Sequence, residues 1–136
     1  IRRKLQEQFV TLSGISVAIW GLTYKPYTDT LRRSLAVELI DWLISQNAKI
    51  FVYDPVVKKL PKHWENKIIH CKTSLNTLLE AQALVIGTDW SEFKQISNKI
   101  SSSAKQNLVI IDPNHHLDST ILKADINYIT VGKPIK

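Results

Sequence analysis

The chain has 136 residues, of which 44% are hydrophobic and 22% are charged, and this balance is typical of one globular domain rather than a disordered segment. No apolar run approaches the roughly 20 residues that a membrane-spanning helix needs, so no membrane partner is expected. The net charge of +6 would suit a nucleic acid, but the cations are scattered in separate stretches, so no nucleic-acid partner is expected either.

The cysteine and histidine content limits redox and metal chemistry. Cys71 is the single cysteine and cannot form an internal disulfide, which favours a reducing, cytoplasmic setting and a structural role for this thiol. His70, His115 and His116 lack the spacing of zinc ligands with it, so no metal site is predicted. The chain contains no methionine and begins at Ile1, and we therefore expect it to be a piece of a longer protein.

The first residues predict a helix. Leu5, Phe9 and Leu12 recur at three- and four-residue spacing, and Ser13 and Gly14 form a stop signal. Residues 1–13 are therefore interpreted as the end of a linker helix that precedes the domain.

The rest of the chain alternates strand and helix patterns. A parallel sheet with right-handed crossovers follows from this alternation, so the predicted fold is α/β, a Rossmann-like three-layer sandwich with a mostly parallel six-stranded sheet. Strands are predicted at 15–20, 49–53, 67–70, 83–87, 108–112 and 128–131. Helices are predicted at 34–46, from about residue 73 and from about residue 91, and the second of these is expected to point Leu75, Leu78 and Leu79 inward. A serine turn is predicted at 101–103 and a helical turn at 119–123.

The stretch 17–34 combines a strand, a turn glycine and a polar loop. Ligands of open parallel sheets bind beyond the carboxyl ends of the strands, where such a loop lies. Gly21 is followed by the letters LTYKP and not by the G-x-G-x-x-G of a dinucleotide-binding turn, so glycine amides do not cradle a diphosphate in the usual way. Lys25 and Arg32 are the candidates to supply the positive charge instead, with Asp29 as a candidate partner of Arg32 and Ser34 as the helix N-cap.

Three motifs carry a resemblance to a known family. The run GLTYKPYTDTLRRS begins at Gly21, YDP begins at Tyr53, and VIGTDWSEF begins at Val85. In this order and spacing they resemble the C-terminal UDP-binding domain of the UDP-glucose and GDP-mannose dehydrogenases, and the resemblance extends from about Ile15 to the end.

The resemblance implies an oxidoreductase that uses NAD to oxidise the C6 alcohol of a nucleotide sugar to a carboxylate. By resemblance, residues 14–136 are the nucleotide-sugar-binding domain, Tyr24 and Lys25 contact the substrate, and Arg32 reaches the NAD site. The family's catalytic cysteine and NAD-binding domain lie outside this stretch, so no catalytic residue is expected here. The expected partners are the absent N-terminal and central domains and, in the full-length enzyme, a second copy that pairs through the central helix.

The chain departs from the family pattern in two loops. Thr30 and Arg33 replace acidic residues, which makes the first loop more basic. Many members carry D-G-R after the fifth strand, whereas this chain has Asp112 followed by PNHH. Asn114 or His115 is the candidate to replace the missing arginine as a substrate contact, although a neutral side chain loses the charge-assisted part of such a contact.

Two functions of different classes remain open from the sequence. The first is the substrate-binding domain of a UDP-sugar 6-dehydrogenase, inactive as a fragment, with UDP-glucose as the first choice of substrate. The alternative is a free-standing Rossmann-like nucleotide-binding or regulatory module without turnover. A G-x-G-x-x-G turn and a glycine-flanked cysteine upstream of Ile1 would distinguish the two.

Overall fold

A six-stranded, all-parallel sheet forms the middle layer of the computed structural model, which describes residues 1–28, 30–32 and 34–130. The spatial order is β3-β2-β1-β4-β5-β6, so the strand order reverses between β1 and β4. This arrangement confirms the predicted Rossmann-like α/β fold. The strands are β1 (Ser16–Trp20), β2 (Lys49–Tyr53), β3 (Ile69–His70), β4 (Ala83–Ile86), β5 (Val109–Ile111) and β6 (Asn127–Ile129).

In the described part of the chain, four α-helices and three short 3-10 helices surround the sheet. The α-helices are α1 (Arg2–Gln8), α2 (Leu35–Ser45), α3 (Ser91–Gln95) and α4 (Ser97–Ser103), and the 3-10 helices are Lys62–Trp64, Leu75–Leu78 and Ser119–Ile121. Across residues 1–28, 30–32 and 34–130, none of the helices is long and apolar enough to span a bilayer.

The central strand β1 divides the core into two layers. Successive side chains of a strand lie on opposite faces, and all five residues of β1 are buried. Val17 and Ile19 pack with α1 and α2, whereas Ala18 and Trp20 pack with the α3 and α4 side. The buried Trp20 donates its indole N–H to Thr77 Oγ1 at 2.8 Å, which fixes the Leu75–Leu78 turn against the sheet.

The first helix is shorter than predicted and packs inward. It ends at Gln8, because Phe9 is extended and the β-branched Val10 and Thr11 that follow are poor helix formers. Leu5 and Leu12 are nevertheless buried in the α2 layer. The apolar face of α1 therefore contributes to the core of this domain.

Two helical predictions were wrong in detail. Leu79, predicted to point inward, is 65% exposed, because a 3-10 turn puts residues three apart on one face and Leu79 falls outside that pattern. The serine run predicted as a turn is instead the end of α4. The Ser102 hydroxyl donates to the carbonyl of Lys99 at 3.1 Å, and the buried Ile100 anchors the same turn.

The edge strands differ most from prediction. β3 has only two residues, because only Ile69 and His70 pair with β2. β6 begins one residue earlier than predicted, at Asn127, and the predicted continuation to Val131 lies outside the described residues.

At the reversal of strand order, the turns after β1 and β4 lie in direct contact. Gly21 has a φ of 92°, and a Cβ atom built on it would lie 2.6 Å from the backbone nitrogen of Thr88. The Thr88 hydroxyl donates to the carbonyl of Thr23 at 2.8 Å, and the Gly87 N–H donates to the carbonyl of Trp20 at 2.7 Å. The crevice between β1 and β4 is therefore closed at its base by backbone.

A side chain at Gly21 is expected to cost far more stability than one at Gly14. Gly14 also has a positive φ, 80°, but a Cβ atom added there would have no other atom within 4 Å. We expect Gly14→Ala to lower the unfolding free energy by about 1 kcal/mol from backbone strain alone, and Gly21→Ala by about 3 kcal/mol, because it adds a clash with Thr88. Denaturant unfolding of both variants measures the difference, and equal losses would contradict the closed crevice.

Candidate functional site

Three loops at the carboxyl ends of the strands form one continuous rim. They are residues 21–34 after β1, 87–90 after β4 and 112–118 after β5, and we call them the rim loops. Ligands of open parallel sheets bind at this edge. The rim loops are therefore the candidate site, and they hold every residue that the sequence singled out for binding.

The first rim loop is pinned at Leu22, which is fully buried. Its N–H donates to Asp54 Oδ2 at 2.8 Å, and its carbonyl accepts from the Ser34 hydroxyl at 2.6 Å. Ser34 Oγ also accepts from the N–H of Val37, which confirms Ser34 as the N-cap of α2. The loop is thus tied at both ends, to β2 and to α2.

Besides the hydrogen bond from Thr88 to Thr23, Tyr27 joins the first rim loop to the second and to the start of α3. The Tyr27 hydroxyl is 3.1 Å from Ser91 Oγ, and the Tyr27 ring meets the Trp90 ring edge-on with centroids 5.2 Å apart. Tyr27 is 76% exposed, and its backbone has a φ of 65°. Its ring is therefore positioned by these contacts. Trp90 is buried beneath the Tyr27 ring.

Two further contacts join the third rim loop to the second. The side-chain amide of Asn114 donates to Asp89 Oδ2 at 2.8 Å, and His116 Nε2 lies 2.7 Å from the carbonyl of Trp90. The rim loops therefore form one connected network. Asp89 belongs to the VIGTDWSEF motif, but the sequence predicted no contact for it.

The predicted substrate and cofactor contacts of the first rim loop are exposed. Tyr24 is 58% exposed, and Lys25 and Arg32 are also on the surface. Within residues 1–28, 30–32 and 34–130, neither cation forms an ion pair with a carboxylate. Asp29, the predicted partner of Arg32, lies outside the described residues. The loop thus presents Lys25 and Arg32 with their charges available to an anion.

The two candidates of the third rim loop have different surroundings. Asn114 already has the Asp89 carboxylate as its partner. His115 follows a tight turn closed by its own N–H to the carbonyl of Asp112 at 3.1 Å, and its ring packs edge-on against Tyr128 with centroids 5.4 Å apart. His115 is exposed and has no carboxylate partner among the described residues, and its Nε2 lies 3.5 Å from Ser119 Oγ.

The fully buried Asp112 positions that loop from below. Its Oδ2 accepts from the Leu117 N–H at 2.7 Å and from the Tyr128 hydroxyl at 2.6 Å. Burial, together with the hydrogen bond to Asp112, raises the pKa of Tyr128, so the phenol stays protonated and keeps donating. Sequence reasoning placed Asp112 at a strand end but missed this role, because Tyr128 is sixteen residues further along the chain.

Asp54 shows that this sheet does not hold a dinucleotide in the usual way. In dinucleotide-binding folds an acidic residue after the second strand binds the ribose hydroxyls. Asp54 stands at that place, but its Oδ2 accepts from Leu22 and its Oδ1 accepts from the N–H groups of Val56 and Val57 at 2.8 and 3.0 Å. With both oxygens committed and the glycine turn closed by Thr88, the described residues do not fit NAD at this edge.

The fold is that of a Rossmann-like domain, and its rim exposes Lys25 and Arg32 beside a glycine turn that Thr88 closes. Residues 18–119 match the UDP-binding domain of the UDP-glucose/GDP-mannose dehydrogenase family. The chain belongs to that family, and the resemblance carried by its three motifs is confirmed.

Similar proteins support this assignment. The chain is 30% identical over 133 residues to the putative UDP-glucose 6-dehydrogenase YtcA of Bacillus subtilis, covering 97% of the chain and 31% of the relative. It is 32% identical over 127 residues to the UDP-glucose 6-dehydrogenase of Rickettsia prowazekii, covering 91% of the chain and 29% of the relative. The chain therefore spans about a third of the length of these relatives.

Solved structures show the same fold. A UDP-glucose dehydrogenase from Pyrobaculum islandicum superposes with a TM-score of 0.75 at 23% identity, over 93% of this chain and 27% of that one. The UDP-N-acetyl-mannosamine dehydrogenase Cap5O from Staphylococcus aureus superposes with a TM-score of 0.69 at 25% identity, over 94% of this chain and 29% of that one.

Tyr53, the last residue of β2, has a raised pKa that gives a pH-dependent prediction. Burial first, and then its hydrogen bond to Glu92 at 2.8 Å and the charges of Glu92 and Asp54, raise its pKa from 10.0 to about 12. The folded chain thus holds this proton more tightly than the unfolded chain, so the contribution to stability is complete below pH 10 and is lost between about 10 and 12.

Replacing Tyr53 by Phe is therefore expected to remove one late tyrosinate ionisation and to flatten the fall of unfolding free energy across this range. Ultraviolet titration and denaturant unfolding at a series of pH values measure both effects. Tyr128 retains its own raised pKa in both proteins and serves as the internal reference. A loss of tyrosinate signal near pH 10 in Tyr53→Phe, with the later ionisations unchanged, would show instead that Tyr53 ionises like a solvated phenol.

Proposed function

We propose that residues 14–136 are the C-terminal substrate-binding domain of an NAD-dependent nucleotide-sugar 6-dehydrogenase, and that residues 1–13 are the end of its central helix. The observation that carries the proposal is the pinned first rim loop, which presents Tyr24, Lys25 and Arg32 at the ligand-binding edge of the sheet. The relatives named UDP-glucose 6-dehydrogenase support UDP-glucose as the substrate and its uronic acid as the product.

Lys25 is proposed to attract the diphosphate as a point charge, and Tyr24 to pack against the bound substrate. A loop already fixed at Leu22 loses little conformational freedom on binding, so more of the contact energy contributes to affinity. His115 or Asn114 would complete the site from the third rim loop, and of these His115 needs to break no carboxylate contact.

NAD is proposed to bind mainly to an N-terminal domain outside this chain, with Arg32 reaching toward it. The closed glycine turn and the committed Asp54 support this division, since the described residues do not fit the cofactor themselves. The fragment would then bind and orient the nucleotide sugar without turnover. The partners would be the remaining domains of the same polypeptide and a second copy in a homodimer, and the single cysteine supports a cytoplasmic setting.

Lys25→Ala is expected to weaken UDP-glucose binding by about tenfold, because it removes a charge-assisted contact. Isothermal titration calorimetry on the chain measures the affinity. The matched control is Lys105→Ala, which removes an exposed lysine that precedes β5 at the opposite edge of the sheet. Equal affinities for the two variants would exclude Lys25 as a contact.

The full-length protein encoded by the complete reading frame is expected to reduce NAD when UDP-glucose is added. Absorbance of NADH measures the rate, and a panel of other nucleotide sugars tests the choice of sugar and base. Lys25→Ala should lower kcat/KM by the same factor as it lowers affinity. A full-length protein that binds UDP-glucose and reduces no NAD with any nucleotide sugar would favour the binding or regulatory module.

A further inference from the structure

A second cavity lies at the same edge of the sheet, beyond β2 and β3, and shares no lining residue with the rim loops. Its volume is about 460 Å³, within the range of roughly 300–1,000 Å³ typical of small-molecule sites. We call it the β2–β3 pocket. It is lined by Tyr53, Asp54, Pro55, Val57, Lys58, His70, Cys71 and Lys72.

The parallel pairing of two short strands builds this pocket. Val52 pairs with His70, and the N–H of Cys71 donates to the carbonyl of Val52 at 2.9 Å. The segments 53–55 and 70–72 therefore leave the sheet side by side and form two walls. The Asp54 carboxylate accepts hydrogen bonds from the N–H groups of Val56 and Val57. These bonds fix the turn that places Val57 and Lys58 in the pocket lining.

The charge of the β2–β3 pocket is positive. Lys58 and Lys72 are both exposed, and in the part of the chain that the structure describes neither makes an ion pair. Asp54 is the one carboxylate among the lining residues, and its two oxygens already accept three backbone hydrogen bonds. The pocket thus offers cations to an anion, and its own carboxylate is not free to bind a cation.

Part of the pocket lining is apolar and includes the ring of Tyr53. Pro55 and Val57 contribute aliphatic surface, and the Tyr53 ring is held in place by its hydroxyl bond to Glu92 and by edge-on packing with Phe93 at a centroid distance of 6.2 Å. A ligand that satisfies this lining carries an anionic group and a planar, weakly polar part.

We propose that the β2–β3 pocket binds a small phosphate-bearing molecule with a planar ring, the chemistry of a nucleoside monophosphate, with Lys58 and Lys72 at the phosphate and Tyr53 against the ring. This site is separate from the rim site of the proposed function. The same Asp54 that shapes the pocket also holds Leu22 of the first rim loop, so the two sites share one anchor.

Cys71 makes the pocket directly testable. It is the single cysteine of the chain, it is partly exposed, and it lines the pocket, so a bound ligand would shield it from alkylation. Burial raises the pKa of its thiol, which keeps the reaction slow at neutral pH and its rate easy to follow.

The experiment measures the rate of Cys71 alkylation by iodoacetamide, by mass spectrometry of the 136-residue chain, as adenosine monophosphate is added. We expect the nucleotide to slow alkylation, and the concentration for half-protection to rise by about tenfold or more in Lys58→Gln/Lys72→Gln, because two phosphate contacts are lost. Adenosine, which lacks the phosphate, should protect much less.

Lys59→Gln is the matched control, since Lys59 is an exposed lysine next to Lys58 that does not line the pocket. Its half-protection concentration should equal that of wild type. The proposal is overturned if adenosine monophosphate gives no protection at millimolar concentration, or if Lys59→Gln weakens protection as much as the double variant. Either result leaves the Lys25 experiment unaffected, because that test uses other residues and another ligand.

Discussion

The carboxylate of Asp54 is the constraint on which the binding edge of this domain depends. It accepts backbone hydrogen bonds from Leu22 and from the turn at Val56 and Val57, so it joins the loop after β1 to the turn after β2. Buried backbone N–H groups left without an acceptor would each cost about 1–3 kcal/mol. In dinucleotide-binding sheets an acidic residue at this place binds a ribose, whereas here Asp54 accepts hydrogen bonds from the protein's own backbone.

The closed glycine turn is a second difference between this edge and that of a dinucleotide-binding sheet. At Gly21 and Thr88 the ends of β1 and β4 are in backbone contact. There is therefore no space between them in which backbone N–H groups could bind a phosphate. In the proposed function, recognition comes instead from side chains of the loop after β1, which hydrogen bonds of Leu22 tie to Asp54 and Ser34.

The succession of strands along the chain and the family were predictable because they depend on local patterns. Apolar runs such as 49–53 end at strong turn signals, and the N-cap at Ser34 is a one-residue signal that the structure reproduces. The contacts that organise the rim were not predictable, because Tyr27 meets Ser91, and Asn114 meets Asp89, across distances in sequence that no local pattern records. The helix errors have another origin, since the inward face of Leu75–Leu78 depends on a 3-10 turn that differs from an α-helix by a single hydrogen-bond step.

The position of β1 has a consequence for how the chain folds. It precedes the other five strands of the sheet along the chain and lies between β2 and β4, the latter beginning only at Ala83. A parallel sheet has no hairpin that could form early. The apolar strand β1 can therefore complete its pairing only with strands that are distant in sequence. Until Ala83–Ile86 pairs with β1, one edge of β1 is an unpaired strand edge that a strand of another chain can bind.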